Sequence, residues 1–337
     1  MNIEKTIITL LKKHTKLKEV SLEIPPDQKL GDYAFPCFEL SKKLKKSPIE
    51  IAKWLENIKH SREIEKIIAV GPYLNFFINP NELSSNLIRT ILRGSYGTNK
   101  NKEKIMIEFV SPNTNKSLHL GHVRNGVLGE SLSRILQSQG YKVIKTSLNN
   151  DRGTGMSEAI LGYQLFHKNT FPKIKPDHFV AQCYVDYKRA ETEELKQKVQ
   201  QLTLDWENNN REARILWKKL TTWVYKGHKE TYKSLGISFD KQYYESKIYK
   251  EGKDIVNKGF KQRIFKKKGG AIIAQLDKYN LPDKILIKSD GTSLYITQDI
   301  YLAKLKEKEF HIDRSIYIVA SEQDLHFKQL FKILELL

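Results

Sequence analysis

Cysteine is scarce in this chain: Cys37 and Cys183 are the only two among 337 residues. They are far apart and have no other cysteine beside them, so neither a disulfide framework nor a cysteine-based metal site is predicted. Unpaired cysteines of this kind are typical of a reducing compartment. We therefore expect a cytoplasmic protein without a metal site built from its own side chains.

Long hydrophobic runs are also missing. No apolar stretch reaches the ~18 residues that a membrane-spanning helix needs, so neither a span nor a membrane partner is predicted. The first 20 residues carry too many charges, and too short an apolar centre, for a secretory signal. Hydrophobic residues make up 39% of the chain and charged residues 29%, which is the balance of a soluble globular protein. A chain of this length can form two domains or one large domain with insertions.

Acidic side chains are in the minority: 39 Asp and Glu stand against 58 Lys and Arg, a formal net charge of +19. Such an excess favours a polyanionic partner such as nucleic acid. Only 11 of the basic residues are arginine, however, and the chain is also rich in Ile and Asn, so a compositional bias explains the lysines equally well. The net charge therefore indicates a nucleic-acid partner only in combination with a recognisable binding site.

The first part of the chain predicts a small α+β domain, residues 1–93. Ser47, Pro48 and Glu50 form a capping box that opens a helix, and Gly71-Pro72 separates two apolar runs that predict paired strands. In chain order the pattern predicts a helix, a loop, the capped helix, the two strands and a last helix. These lie at residues 1–20, 25–36, 47–58, 64–78 and 81–93.

A polar linker (94–103) leads to the second domain, residues 104–337. An apolar strand at 104–110, a helix that stops at Gly140 and a strand at 141–148 predict a βαβ unit of a parallel sheet. The helix carries an apolar stripe, which we expect to face the core. The stripe consists of Leu120, Val123, Val127, Leu128, Leu132, Ile135 and Leu136.

The alternation of strand and helix is then interrupted. Residues from about 157 to 280 predict an insertion, helical and charged as far as 235, with three tryptophans on its apolar faces. The runs 284–306 and 315–337 restore the order of strand followed by helix. No internal repeat is found.

The segment SPNTNKSLHLGH (111–122) lies between the first strand and the helix of the βαβ unit. Ligands of parallel α/β sheets bind at such junctions. His119 and His122 stand one turn apart at the helix start, where the helix dipole favours anions, and Gly121 lets a phosphate or flat ring approach. With the charge of Lys116, they predict a triphosphate site. The alternative is that the histidines only cap or pack the helix.

Longer runs carry a family resemblance. PNTNKSLHLGH, followed by VRNGVLGESLSRIL, resembles the HIGH signature of class I aminoacyl-tRNA synthetases, with Leu120 in place of isoleucine. LNNDRG (148–153), SDGTSLYITQD (289–299) and ASEQDLHFKQLFKILELL (320–337) are similar to arginyl-tRNA synthetases. So is IPPDQKLGDYAFPCFELSKKL (24–44), which resembles the extra N-terminal domain of that family. The matches run in the same order along nearly the whole chain.

The resemblance implies an α/β fold: the Rossmann-like parallel sheet of class I synthetases with a helical insertion, preceded by a small α+β domain. It implies ATP-dependent attachment of L-arginine to tRNA(Arg) through arginyl-adenylate. The substrates would be ATP, with Mg²⁺ on its phosphates, L-arginine and tRNA(Arg), and the protein would be a monomer. The reaction needs no covalent enzyme nucleophile, so the protein acts by positioning and by stabilising charge.

A guanidinium group is planar, permanently charged and rich in donors, so its binding calls for carboxylates. The resemblance assigns this role to Glu108 and Asp299; the alternative for Glu108 is a surface charge on an edge strand. Tyr295 would share a helical face with Asp299 if a helix begins at Ile296. The amino and carboxylate groups of arginine would be held by Ser111, Asn113 and Gln323.

For ATP, the resemblance implies binding by a set of residues around the HIGH signature. Lys116, His119 and His122 would be the catalytic residues of this set. Its members are Asn115, Lys116, His119, Gly121 and His122.

Tyr73 and Asn75 lie two apart on one predicted strand and could stack on and hydrogen-bond a splayed RNA base. The resemblance places this domain on the tRNA elbow. The alternative is that Tyr73 packs as an ordinary strand residue.

The second signature of the family, a KMSKS-type loop, and its anticodon-binding domain would lie beyond residue 337, so we expect a fragment that holds the N-terminal and catalytic parts. Two other functions stay open. One is another class I synthetase or a nucleotidyltransferase. A neutral substrate of such an enzyme would give no role to the carboxylates of Glu108 and Asp299. The other is a non-catalytic module that binds tRNA or arginine.

Overall fold

The structure is a computed structural model of the chain and describes residues 3–94, 96–97 and 101–337. The chain divides into two compact units, Met1–Thr98 and Asn99–Leu337. The division falls within the predicted linker 94–103, of which residues 95 and 98–100 lie outside the described ones.

The first unit combines four helices with a three-stranded antiparallel sheet. The elements are α1 (Ile3–Thr15), β1 (Tyr33–Pro36), α2 (Phe38–Leu44), α3 (Pro48–Glu56), β2 (Ile64–Val70), β3 (Tyr73–Ile78) and α4 (Pro80–Leu92). The strand order is β1-β3-β2. Leu11 of α1, Leu40 of α2 and Leu55 of α3 pack with Leu74 and Phe76 of β3 in one buried core.

The predicted capping box and paired strands are confirmed. The backbone N–H of Ser47 donates to Glu50 at 3.3 Å, and β2 pairs antiparallel with β3 across Gly71-Pro72. The loop predicted at 25–36 is wrong for its last four residues, because Tyr33–Pro36 form β1 and pair with β3. Pro36 is tolerated there because it lies at the end of an edge strand, where its missing N–H costs no ladder hydrogen bond.

The second unit is built on a parallel sheet with long helical connections. Its elements are β4 (Lys104–Glu108), α5 (Leu120–Ser138), β5 (Lys142–Asn149), α6 (Thr154–Phe166), α7 (Pro176–Ala190), α8 (Glu193–Glu207), α9 (Arg211–Ser234), β6 (Lys241–Tyr244), α10 (Glu245–Ile248), α11 (Gly252–Lys261), β7 (Lys266–Lys268), β8 (Ala271–Ala274), β9 (Lys284–Ile287), α12 (Tyr295–Phe310), β10 (Arg314–Tyr317) and α13 (Asp324–Leu336). No helix of the described residues is long and apolar enough to cross a membrane.

Four strands form the parallel sheet, in the order β10-β4-β5-β6, and all three pairings are parallel. The predicted βαβ unit, β4-α5-β5, is therefore confirmed. β4 lies inside the sheet, and Ile105, Met106 and Ile107 are fully buried. Because all four strands run the same way, their carboxyl ends meet at one edge of the sheet.

The insertion differs from its predicted extent. Its helices, α6–α9, end at Ser234, and β6 returns to the parallel sheet within the range 157–280. β7, β8 and β9 form a separate antiparallel sheet, so β9 does not continue the parallel one as its sequence pattern had indicated. β7 consists of three exposed lysines, which have no apolar pattern; its pairing follows from a tight hairpin in which Gly269 and Gly270 both have positive φ.

α5 buries only part of its predicted apolar stripe: Leu132 and Leu136 pack against the core, but most other members are exposed. Leu120 is 86% exposed, whereas Gly126, Gly129 and Ser133 are buried. A Cβ on Gly129 would lie 2.2 Å from the ring of Phe109, the residue that follows β4. The helix therefore uses a small-residue face to lie closer to the sheet than leucine side chains would permit, and this brings its first turn to the end of β4.

Candidate functional site

A cavity of about 550 Å³ opens at the carboxyl edge of the parallel sheet. Residues from the ends of β4 and β5, from the starts of α5 and α12 and from the loop after β10 line it. Eight predicted site residues are among them: Glu108, Ser111, His119, Gly121, His122, Tyr295, Asp299 and Gln323. The fold thus brings to one place side chains that are more than 200 residues apart in sequence.

The chain turns sharply as it leaves β4. Val110 and Ser111 both adopt left-handed backbone conformations, with φ of 68° and 44°, which are costly for residues other than glycine. Hydrogen bonds hold this turn: the Ser111 hydroxyl donates to Glu108 Oε1 at 3.3 Å and accepts from the N–H of Leu148 at 3.1 Å. Ser111 therefore joins the ends of β4 and β5 and orients the Glu108 carboxylate.

Glu108 has a buried cationic partner, Lys306 of α12, which sequence reasoning missed. The Lys306 ammonium contacts Glu108 Oε2 and lies 4.8 Å from the ring centre of Tyr317, with only 1% of the lysine exposed. Burial is the largest influence and works to lower the pKa of Lys306, but the charge and hydrogen bond of Glu108, together with Tyr317 and Asp299, outweigh it and hold the pKa above its ordinary value. Lys306 stays charged and compensates Glu108. The sequence feature that could have indicated Lys306 is its position two helical turns after Asp299, on the same face of the helix.

Asp299 lies in α12, which begins at Tyr295, one residue earlier than expected. The side chains of Tyr295 and Asp299 therefore share one face of this helix, and both line the cavity. Asp299 Oδ2 is 2.7 Å from Nε2 of His326 in α13, another residue that sequence reasoning missed although it lies in a recognised run. The side chain of Asp299 is 25% exposed and that of His326 is 22% exposed. Tyr295 itself is 75% exposed and forms part of the rim.

The two histidines of the HIGH-like motif cap α5. The N–H of Gly121 donates to His119 Nδ1 at 3.1 Å, and the N–H of His119 donates to His122 Nδ1 at 3.2 Å. Because both Nδ1 atoms accept, each neutral ring carries its hydrogen on Nε2. Both histidines therefore cap the helix, and the two Nε2–H groups remain as donors.

The electrostatics of this turn suit a neutral imidazole. Burial, and secondarily the neighbouring His119, lower the pKa of His122 from 6.5 to about 4, so the ring is neutral near pH 7. The ring centres of the two histidines are 4.0 Å apart. A Cβ on Gly121 would lie 2.9 Å from His119 Cε1, so the glycine leaves space for this ring. The helix start thus presents imidazole N–H donors together with the positive end of its dipole.

Three predicted residues lie outside the cavity lining. Asn113 forms a parallel bridge with Asn150, and the amide of Asn115 packs over Gly155, where a Cβ would lie 2.7 Å from Asn115 Nδ2. Lys116 is exposed, with its ammonium 5.7 Å from the ring centre of Tyr184 in α7. The segment 113–116 therefore runs beside the helical insertion.

The LNNDRG run attaches the insertion to the sheet. Asp151 is 1% exposed and accepts hydrogen bonds from the backbone N–H and hydroxyl of Ser246 and from the hydroxyl of Tyr225. Burial raises the pKa of Asp151 above its ordinary value. Arg152 forms ion pairs with Glu207 and Glu245. These contacts make the charged part of the run a structural joint at the end of β5.

In the first unit, Tyr73 and Asn75 differ in exposure. Tyr73 is partly exposed and meets the ring of Phe38 edge-on at 5.7 Å, and Phe38 is 47% exposed. Asn75 is 3% exposed and lies beneath Gly31, where a Cβ would be 3.5 Å from the Cβ of Asn75. Of the predicted pair, Tyr73 is thus the side chain that presents surface to solvent.

Burial makes both cysteine thiols unreactive, because it raises the pKa of Cys37 to about 11 and that of Cys183 to about 12. Over residues 3–94, 96–97 and 101–337, no group of three or more His, Cys, Asp or Glu side chains is arranged to hold a metal ion.

Comparisons with known proteins match both units. The family model described as the arginyl tRNA synthetase N terminal domain matches residues 1–78, and the model for the catalytic domain of the class I (R) tRNA synthetases matches residues 84–337. The arginine–tRNA ligase of Treponema denticola is 42% identical over 338 residues, which are 94% of this chain and 57% of that protein. The ligase of Borreliella afzelii is 42% identical over 344 residues, with coverage of 96% and 58%. The chain therefore spans less than two thirds of the length of these relatives.

Solved structures agree on the fold. The arginyl-tRNA synthetase of Plasmodium falciparum superposes with a TM-score of 0.64 at 18% identity, covering 99% of this chain and 62% of that one. The enzyme from Thermus thermophilus gives a TM-score of 0.55 at 25% identity, with coverage of 90% and 52%.

Proposed function

The chain belongs to the class I arginyl-tRNA synthetase family, and from this premise we propose that it carries the arginine- and ATP-binding parts of an arginine–tRNA ligase. The reaction is the ATP-dependent attachment of L-arginine to tRNA(Arg) through arginyl-adenylate. The observation that supports this most is the cavity at the sheet edge, which joins carboxylates on β4 and α12 with the histidine donors of α5.

The guanidinium group of arginine binds against Asp299. The charges of Glu108 and Lys306 cancel each other, so Asp299 is the carboxylate that gives the cavity its negative charge. Glu108 contributes a hydrogen-bond acceptor rather than net charge, and Tyr295 covers the guanidinium from the rim. Ser111 positions Glu108, while Asn113 and Gln323 serve the amino and carboxylate end.

ATP binds with its phosphates at the start of α5, where the Nε2–H groups of His119 and His122 and the helix N-terminus donate to oxygens that gain charge. Asn115, Lys116 and Gly121 border this site, with Lys116 reaching in from the insertion side. Mg²⁺ held by the phosphates would supply further charge neutralisation when bound.

In the first step the carboxylate oxygen of arginine attacks the α-phosphorus, the bond to the β-phosphate oxygen breaks, and pyrophosphate leaves. A hydroxyl of the terminal tRNA adenosine then attacks the carbonyl carbon, and AMP leaves. His119 and His122 stabilise the charge that develops on the phosphates. We place the first unit on the tRNA elbow through Tyr73, with the buried Asn75 supporting the strand behind it. We further propose a cytoplasmic monomer.

The test is Asp299→Asn. Removing this carboxylate leaves the guanidinium without its counter-charge, which typically costs about 3–5 kcal/mol, or roughly a few hundred- to a few thousand-fold in affinity. Calorimetric titration should show this loss for L-arginine with ATP affinity nearly unchanged. Citrulline, which has a neutral ureido group, should lose less. Glu307→Gln, on an exposed face of the same helix, is the matched control.

Equal losses for arginine and ATP, or an unchanged arginine affinity, would show that Asp299 is not the guanidinium ligand. A chain that binds arginine with this selectivity but forms no adenylate would support the second candidate, a non-catalytic arginine-binding module. This candidate is considered because the chain covers only 57–58% of the length of these relatives.

A further inference from the structure

The two carboxylates of the cavity have internal partners of different chemistry. Glu108 is paired with a lysine that is permanently charged at physiological pH, whereas Asp299 is paired with the imidazole of His326. A histidine can be neutral or charged in the range where proteins function. The charge that faces a bound guanidinium therefore depends on the protonation state of His326.

We propose that His326 is a positioning residue for the recognition of arginine. It holds one oxygen of Asp299, leaves the other free for the guanidinium group, and permits tight binding only while its ring is neutral. This inference rests on the proposed function, because it specifies how the arginine site selects a cation.

The position of the His326 ring is fixed by its neighbours. Its Nε2 lies 2.7 Å from Asp299 Oδ2, and its ring meets Phe327 edge-on at 5.5 Å. Phe327 packs against Tyr317 at 4.7 Å, and Tyr317 lies under the ammonium of Lys306. His326 is thus held in a continuous set of contacts that extends to the Glu108 pair, so the Asp299 carboxylate cannot turn without losing its hydrogen bond.

The charge balance gives the direction of the effect. With His326 neutral, Nε2–H donates to Asp299, and the remaining negative charge attracts the guanidinium. With His326 protonated, the pair carries no net charge, and the entering guanidinium meets an imidazolium at short range. Arginine affinity should therefore be lower when His326 is protonated than when its ring is neutral.

Other groups around the cavity also carry charge. Burial raises the pKa of Glu245, which lies close enough to Asp299 to interact with it, to about 7, so this residue titrates near neutral pH. His122, with its pKa of about 4, stays neutral above pH 5.5. A substitution at position 326 is therefore required to assign the pH dependence. The remaining charged or titratable groups are Glu108, His119, Arg124, Tyr295, Lys306 and Tyr317.

The experiment is a titration of the 337-residue chain with L-arginine in a calorimeter at several pH values between 5.5 and 8. His326→Gln keeps an N–H donor for Asp299 but cannot titrate, and His326→Leu removes the donor. We expect the unsubstituted chain to lose arginine affinity toward pH 5.5. His326→Gln should lose less affinity over this range, the remaining dependence coming from Glu245, and His326→Leu should bind about tenfold more weakly at pH 8, with ATP affinity unchanged in both.

His311→Gln, at an exposed histidine just after α12, is the matched control and should keep the original profile. Arginine binding by His326→Gln with the same pH profile as the unsubstituted chain would overturn the inference while leaving the proposed function intact. The comparison between His326→Gln and the unsubstituted chain tests the inference even if His326→Leu does not fold. Failure of the unsubstituted chain to bind arginine better than citrulline would overturn the proposed function and the inference together.

Discussion

Lys306 and Glu108 form an ion pair at the carboxyl end of β4, and neither side chain is more than 10% exposed. The pair joins α12 to the parallel sheet in the same region in which Ser111 joins β4 to β5. Removing one member of such a pair leaves a buried charge without compensation, which is far more costly than removing both.

We therefore expect Lys306→Met to lower the free energy of unfolding by about 3–5 kcal/mol. Urea titration followed by circular dichroism measures the change. The double variant Lys306→Met/Glu108→Gln should recover part of the loss, because it removes the orphaned charge. Lys304→Met, at an exposed lysine of the same helix, should change stability little. A double variant less stable than Lys306→Met would contradict this account.

His122→Ala is expected to reduce adenylate formation on the order of 100-fold and to leave arginine affinity nearly unchanged, because in the proposed reaction its Nε2–H donor would face phosphates that gain charge during attack. Pyrophosphate exchange in the presence of tRNA reports the rate, and calorimetry reports arginine binding. Parallel losses in both quantities would show that His122 is not a triphosphate contact.

His122→Gln separates the two roles of this residue. A glutamine at this position can still accept a hydrogen bond from the backbone N–H of His119, as in an ordinary capping box, but it has no ring N–H. The variant should retain the thermal stability of the parent chain and lose exchange activity almost as His122→Ala does. Recovery of the rate by glutamine would mean that the cap, and not the ring donor, accounts for the effect.

Acid should destabilise the protein through His228. This residue is 2% exposed, its two ring nitrogens have no hydrogen-bond partner in the described part of the chain, and burial lowers its pKa from 6.5 to about 4. Asp177 acts in the opposite direction but is outweighed, and Lys175 and His122 act with burial. Between pH 6.5 and 4 the unfolded chain binds a proton that the folded chain does not, so the free energy of unfolding falls as the pH falls.

Replacing this histidine with leucine should flatten the dependence. We expect His228→Leu to match the parent chain in melting temperature at pH 7 and to lose less of it by pH 4.5, as measured by scanning calorimetry. His122 continues to titrate in the variant and keeps part of the slope. His60→Gln, at an exposed position, is the control. An identical slope in His228→Leu would rule out this residue as a cause.

Tyr73→Ala should weaken tRNA binding about tenfold, since stacking of a base on an aromatic ring contributes about 1–3 kcal/mol. A filter-binding titration measures the affinity, and arginine affinity should not change. Trp54→Ala removes an exposed aromatic side chain from α3 of the same unit and should have no comparable effect. If both variants bind tRNA as the parent does, Tyr73 is a packing residue and the elbow assignment fails.

Much of the local structure, including part of the candidate site, could be predicted from local patterns. The βαβ unit, the capping box at Ser47 and the helical face shared by Tyr295 and Asp299 depend on spacing within a few turns or on one strand, and spacing is visible in the sequence. The HIGH-like motif likewise marks its own position at the start of α5.

The partners of those residues could not be predicted in the same way. Lys306 and His326 are ordinary members of charged helices until the fold brings them to Glu108 and Asp299. The buried face of α5 was missed because glycine has no apolar side chain to count, yet its small size is what lets Phe109 approach. β1 and β7 were missed because their pairing depends on neighbouring strands rather than on an apolar pattern of their own.

The order of the strands in the parallel sheet has a consequence for the time course of folding. β10 pairs with β4 across a separation of about 209 residues, and β6 reaches β5 only after the four helices of the insertion. Those helices pack mainly with near neighbours in sequence, so we expect them to form first, whereas closure of the long loops makes the outer strand pairings slow. The cavity exists only once β10 has paired, because the loop that follows this strand and the start of α13 form part of its lining. On a ribosome, the cavity therefore cannot form before β10 and α13 have emerged.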